Sequence, residues 1–228
     1  MDWLYSSLTG SFSLLPPDRY KRDARGGRST GRQGRSGGLR DLPPAGVQQN
    51  FLPIKQSTEM TEDFNASRQR FREAMSRLGA AVNIITTKGP DGDTGFTASA
   101  VCSVTDDPPT LLVCINKNAS QHDTIKAAGI LCVNVLAHEH QELAPVFASV
   151  GNVPMAQRFA LAKWQRLATG APALESAAAA FDCKIDQIVE VGTHSVLFCA
   201  VQAIHLGHAS SGLIYHGRAY HKISTEKA

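Results

Sequence analysis

From residue 60 onward the spacing of apolar and polar positions changes period several times, and each change marks an element. Phe64, Phe71, Met75 and Leu78 recur at intervals of 7, 4 and 3, one apolar stripe of a helix starting near Asn65. Arg68, Arg70, Arg72 and Arg77 fall on its solvated faces, and Gly79 stands where such a helix closes. Residues 81–87 are then a β-branched run, 88–94 carry the turn residues of a hairpin loop, and 95–104 read as one extended strand. From Thr97 to Val104 no side chain in that strand exceeds Thr or Val, so its backbone is unobstructed and something flat could lie against it. A small-residue strand packed beneath a helix is the plainer reading of the same pattern. Pro108-Pro109 stops the strand, and 111–116 form another; three strands joined by short turns pair antiparallel.

A short helix is expected over 121–128, with Ser120 as N-cap, Asp123 completing a capping box and Gly129 ending it. Its N-terminus beside Lys117 and a serine hydroxyl suits an anion, unless it is only a well-capped helix. Strand returns over 130–136. Residues 143–169 form an irregular helical excursion anchored by Phe147, Met155, Phe159 and Trp164. Residues 181–187 alternate as a half-exposed strand does, whereas 196–204 are apolar at nearly every position, as in a strand buried on both faces. Residues 212–221 supply a last strand and turn. About seven β segments and two or three helices, without an internal repeat, suit a mainly β fold: a closed antiparallel barrel with a few peripheral helices.

Composition changes this picture at the N-terminus. Residues 1–60 hold nine Lys/Arg against five Asp/Glu, and residues 61–228 hold fourteen against fifteen. The formal charge of +3 therefore comes from the first segment, and the rest offers no argument for nucleic acid. That first segment is rich in Arg, Gly, Ser and Pro with little to bury, so residues 1–60 are expected to be a disordered basic extension ahead of a domain at 61–228. Met60-Thr-Glu-Asp-Phe-Asn reads like a natural N-terminus, which makes residues 1–59 an upstream stretch translated from a misplaced start; a flexible tail is the alternative.

Cys102, Cys114, Cys132, Cys183 and Cys199 are odd in number and lack a C-x-x-C pair, so they read as reduced, buried thiols of a cytoplasmic protein. No apolar run reaches the roughly 20 residues that cross a bilayer, so no membrane partner is expected. His138-Glu-His-Gln-Glu142 is not H-e-x-x-H and reads as a solvated helix face, with no metal. No G-x-G-x-x-G follows a strand, which removes a Rossmann nicotinamide domain.

Residues 95–109, with Ala80-Ala-Val-Asn-Ile-Ile-Thr-Thr87 before them and Leu131-Cys-Val-Asn-Val-Leu136 after them, resemble the flavin reductase family. These are reductase components of two-component flavin monooxygenases, of the hydroxyphenylacetate hydroxylase and pyrimidine-utilisation types. The resemblance spans about Phe71 to Ile223. It implies an FMN-binding split barrel, a Greek-key antiparallel β-barrel that forms homodimers, reduces FMN or FAD with NADH or NADPH, and releases the reduced flavin to a separate monooxygenase. A non-catalytic flavin- or haem-binding carrier of the same fold is the rival. By the resemblance, Thr97, Ala98, Ser99 and Ala100 lie along the flavin ring, with Val101, Ser103 and Val104 continuing the contact. Asn116, Lys117, Asn118 and Ser120 match the segment that holds the ribityl chain and phosphate. Gly192, Thr193 and His194, and Gly217, Arg218, Tyr220 and His221, correspond to two motifs near the nicotinamide and flavin face. His221, slightly ahead of His194, is the histidine expected to position the nicotinamide.

Overall fold

The computed structural model of the chain describes residues 56–209 and 211–224. The expectations for residues 1–55 lie outside them. Every strand belongs to one of the chain's two compact units, which takes in Ser67–Ala228. The other unit contributes, among the described residues, only the opening turns of the first helix.

Helix α1 runs Gln56–Ser76, starting ahead of the position its apolar stripe predicts. Among the described residues twelve strands follow: β1 Ala80–Ala81, β2 Asn83–Gly89, β3 Gly92–Ala98, β4 Val101–Asp106, β5 Pro109–Asn116, β6 Ile130–Val135, β7 Trp164–Arg166, β8 Pro172–Leu174, β9 Ala179–Val191, β10 His194–Leu206, β11 Ser211–His216 and β12 Ala219–Ser224. Helix α2, His122–Ala128, lies between β5 and β6; α3, Leu143–Phe147, and α4, Met155–Phe159, lie between β6 and β7. The fold is mainly β with few helices, as the pattern predicts.

Seven strands make one antiparallel sheet in the order β3-β2-β6-β9-β10-β5-β4. Its two edge strands, β3 and β4, are consecutive in the chain and separated by Ser99 and Ala100 alone. A flat sheet would hold β3 and β5 roughly 24 Å apart. Yet Phe96 and Ala98 of β3 share one buried cluster with Val113 and Ile115 of β5. The sheet therefore curls, and the chain crosses directly from one of its edge strands, β3, to the other, β4. The single strand expected over 95–104 is thus two strands on opposite edges, β3 paired with β2 and β4 with β5.

Because strand side chains alternate, Ile84 and Ile85 serve different cores. Ile85 joins Leu131, Val133, Leu197 and Cys199 inside the curl, where Ile125 of α2 also packs. Ile84 joins an outer cluster with Cys132, Leu136, Ala144, Phe147 and Leu174. Phe147, Phe159 and Trp164 meet there with ring centroids 4.8–5.8 Å apart, as the predicted anchors should, and Met155 packs alongside. Gly95 is needed for this packing rather than for an open backbone: a Cβ there would come 2.7 Å from the Ile85 carbonyl oxygen and 3.4 Å from the Phe147 ring.

Three expectations change. β10 is not buried on both faces: Leu197 and Cys199 are buried, Val196 and Phe198 are half-buried, and Ile204 and Leu206 are exposed, because among the described residues no layer covers the outer face of its far end. His138–His140 is a 3-10 turn rather than a solvated helix face, and His140 is buried, with Nδ1 accepting from the Ala137 amide and Nε2 2.9 Å from Ser176 Oγ. Cys102 is exposed on β4 and Cys114 half-buried, while Cys132, Cys183 and Cys199 are buried as expected. Burial pushes the Cys199 thiol up to about 12.

Candidate functional site

A cavity of about 420 Å³ opens where the chain crosses from β3 to β4. One wall belongs to the curled sheet: Phe96, Ala98, Ser99, Ala100, Cys114, Asn116 and His194. The other is built from α1 and the β11–β12 hairpin, with Phe71, Met75, Leu78, Tyr215 and Arg218. The Ser99–Ala100 crossing lies between the two ladders. The Ser99 carbonyl accepts from the Val101 amide and the Ala100 carbonyl from the Cys114 amide, both at 3.0 Å. The N–H groups of Ser99 and Ala100 fall outside the ladders, because the ladder of β3 ends at Ala98 and that of β4 starts at Val101. Small side chains and unladdered amides beside a mostly apolar cavity suit a flat, heteroatom-edged ring, and the volume lies within the range of ligand pockets.

The structure brings some predicted residues to this cavity and leaves others out. Ala98, Ser99, Ala100, Asn116, His194 and Arg218 line it. Thr97 points to the opposite face of β3, fully buried, where its hydroxyl donates to the Ala144 carbonyl at 2.7 Å. Val101 is half-buried against the inner core, and Ser103 and Val104 are exposed along β4, away from the lining. Tyr220 packs against Tyr215, ring centroids 5.2 Å apart, behind the wall. His221 is exposed on β12, its Nε2 donating to the His216 carbonyl at 3.0 Å, and is not among the lining residues. The two histidines backed by sequence are thus separated: His194 faces the cavity and His221 does not.

Beside Asn116 the chain forms a compact turn. Its side-chain oxygen accepts from the Asn118 amide at 2.9 Å. Ser120 does not cap α2, whose N-cap position is Gln121 without a side-chain bond; at the other end Gly129 is left-handed and donates to the Ile125 carbonyl, as predicted. The Lys117 amide donates to the Thr193 carbonyl at 3.0 Å, which docks this turn on the β9–β10 hairpin. The hairpin turns through Gly192 at φ +53°, a conformation favouring glycine, and Thr193 Oγ1 lies 2.9 Å from His194 Nδ1. The β11–β12 turn likewise uses Gly217 and Arg218 at positive φ.

Two groups of residues escaped the sequence reading. The stripe Phe71, Met75 and Leu78 is not buried in a core; Phe71 is 56% and Leu78 63% exposed, and both face the cavity. The period of 3.6 showed which face is apolar but not that it covers a cavity. The second group is an ionic knot around Glu190. Its carboxylate takes Lys126 at 2.7 Å, Lys117 at 3.0 Å and the Ser195 hydroxyl at 2.9 Å. These bonds, Lys126 foremost, hold the Glu190 carboxyl down at about 2. Ser195 also lies 2.9 Å from Nε2 of the buried His122. Among the described residues no cluster of three or more His, Cys, Asp and Glu side chains is arranged to hold a metal.

Residues 75–224 match the family model of the flavin reductase like domain. A protein of Variovorax paradoxus named FMN reductase (NADH) RutF is 58% identical over 154 residues, a match covering 68% of this chain and 84% of that protein. A crystal structure from Haemophilus somnus assigned as a flavin reductase is 46% identical, with a TM-score of 0.66 over 68% of this chain and 98% of that one. The flavin reductase component of a bacterial two-component tryptophan halogenase is 27% identical, with a TM-score of 0.65 over 70% of this chain and 99% of that one.

Proposed function

Because this chain belongs to the flavin reductase like domain family, we propose that it is an NADH-dependent FMN reductase that delivers reduced flavin to a separate monooxygenase. The observation that carries the reading is the 58% identity to an NADH-dependent FMN reductase. The cavity at the Ser99–Ala100 crossing supports it. Hydride transfer is chemistry that nicotinamide and flavin supply between themselves; the protein binds them, orients them and excludes water. In this reading Ala98, Ser99 and Ala100 form the platform for the ring, and their unladdered amides meet its polar edge. Asn116, Lys117, Asn118 and Ser120 hold the ribityl chain and phosphate. His194 positions the nicotinamide across the cavity, Arg218 offers its guanidinium to the dinucleotide at the rim, and Phe71, Met75 and Leu78 close the cavity to water. His221 keeps a part only where the dinucleotide extends beyond the lining residues.

The finer architecture is a closed Greek-key barrel, supported by the curl that brings β3 and β5 to one core. The working form is a cytoplasmic homodimer, supported by apolar side chains left in water at Val104, Val189 and Val191. FMN is the flavin favoured over FAD. The test mixes purified protein with NADH and added FMN in air and follows nicotinamide absorbance. Consumption that scales with added FMN is expected. Tightly held flavin with no loss of NADH overturns the reading in favour of a carrier.

A further inference from the structure

Lys117 lies in the segment proposed to hold the flavin phosphate, yet its ammonium group is already engaged. Nζ donates to the Gly192 carbonyl at 2.9 Å and pairs with Glu190 Oε2 at 3.0 Å. An ammonium has three N–H bonds, so an incoming phosphate finds one free or must displace an existing partner. The other Glu190 oxygen takes Lys126 at 2.7 Å. Glu190 does not reach these partners by chance of side-chain conformation. It stands directly opposite Ser195 across the β9–β10 ladder, and the Ser195 hydroxyl anchors Oε2 at 2.9 Å. The Glu190 side chain is nevertheless 44% exposed, so its carboxylate is open to solvent rather than part of a sealed ion pair. Held down at about 2, it stays anionic at any pH near neutrality.

We propose that Glu190 sets the affinity for flavin by competing with the flavin phosphate for Lys117 and Lys126, so that FMN stays exchangeable. This rests on the reading of residues 116–120 as the phosphate-holding segment. Two consequences of one charge act in the same direction: the carboxylate occupies the cation that the phosphate needs, and it repels the phosphate itself. A reductase whose reduced flavin must leave for another protein requires such weakening, and a neutral residue at this position would lack it. The hairpin does not depend on the carboxylate for its register, because the Lys117 amide bond to Thr193 and the Nζ bond to Gly192 remain without it.

FMN and riboflavin share a ring and differ only in the phosphate, so the pair separates phosphate effects from ring effects. Dissociation constants for both are measured on the full chain carrying Glu190→Gln, Glu190→Asp or Lys117→Gln. Glu190→Gln is expected to bind FMN about fivefold more tightly, within the range expected when a solvent-exposed ion pair is removed, with riboflavin unchanged. Glu190→Asp, which keeps the charge but shortens its reach to the two lysines, falls between wild type and Gln, and carries the test if the Gln variant does not fold. FMN affinity unchanged or weakened in Glu190→Gln, or an equal shift for riboflavin, overturns the proposal. Lys117→Gln separates the two levels. Weaker FMN binding there with no gain in Glu190→Gln removes the competition alone, whereas an unchanged FMN-to-riboflavin ratio in Lys117→Gln removes the phosphate segment and the proposal with it.

Discussion

The two walls of the cavity are built by different physics. The wall from the sheet is a strand crossing locked between ladders: β3 is registered on β2 from Asn83 to Gly89, and β4 on β5 up to Val101 and Val113. Moving Ser99 or Ala100 would disturb hydrogen bonds on both edges of the sheet. The wall from α1 is tied to the β11–β12 turn. The Gly217 amide donates to the Ser76 carbonyl at 2.7 Å, and Arg218 pairs with Glu73 at 2.8 Å. That pair, with Arg77 beside it, holds the Glu73 carboxyl below the usual carboxylate range. The contrast assigns the walls different tasks. In the proposed reading the sheet is the fixed platform on which the ring is placed, and the helical wall covers it with apolar side chains.

If the sheet wall is the platform, filling it should be the most damaging change. Ala100→Trp places a large ring where the cavity begins, on an exposed residue that the folded core does not need. The expected loss is on the order of 100-fold in FMN affinity, with thermal unfolding close to wild type; FMN titration and a melting curve check both halves.

The next effect in size sets the two histidines against each other. His194→Ala removes a side chain that lines the cavity and is expected to raise KM for NADH about tenfold, the equivalent of one good polar contact. His221→Ala, outside the lining, is expected to change it no more than about twofold. Steady-state NADH kinetics decide this, and the reverse order would move the nicotinamide to β12.

Loosening the helical wall should matter less. Glu73→Gln breaks an exposed pair with Arg218, a class of interaction worth at most about 1 kcal/mol. A two- to threefold rise in KM for NADH is expected, with FMN affinity unchanged; an equal loss of FMN affinity would mean that the walls do not act separately.

The smallest effect is on acid stability. The folded Glu190 carboxyl titrates near 2, below its ordinary value of 4.5. Its contribution to stability is therefore complete above about pH 4.5 and is lost as pH falls through about 2. Comparing unfolding curves of wild type and Glu190→Gln across that window should show the wild type alone losing this increment.

Much of this was legible in the order of residues. The β-branched run at β2, the Gly129 cap of α2, the aromatic anchors around Phe147 and the small side chains from Thr97 onward are local features, and each reappears in the fold. Of residues 95–104, Phe96, Ala98, Ser99 and Ala100 reach the cavity lining. The failures share one cause. Thr97 alternates to the opposite face because the strand period is two, but which face meets the cavity depends on the curl of a seven-stranded sheet. The stripe of α1 is equally apolar whether it packs on a core or roofs a cavity. Glu190 and Lys117 are 73 residues apart in the chain, and no local pattern marks them as partners.

What the sequence determined by itself, then, is the kind of each element and the chemical character of each segment, because period, cap and side-chain size act within a few residues. Tertiary structure alone decided that one small-residue strand would be broken at Ser99–Ala100 to join both edges of a sheet. It also decided that His194 rather than His221 would face the cavity, and that Glu190 would stand beside Lys117. Those outcomes depend on which distant strand supplies the opposing hydrogen bonds, and backbone pairing between remote segments is settled by the closure of the whole sheet.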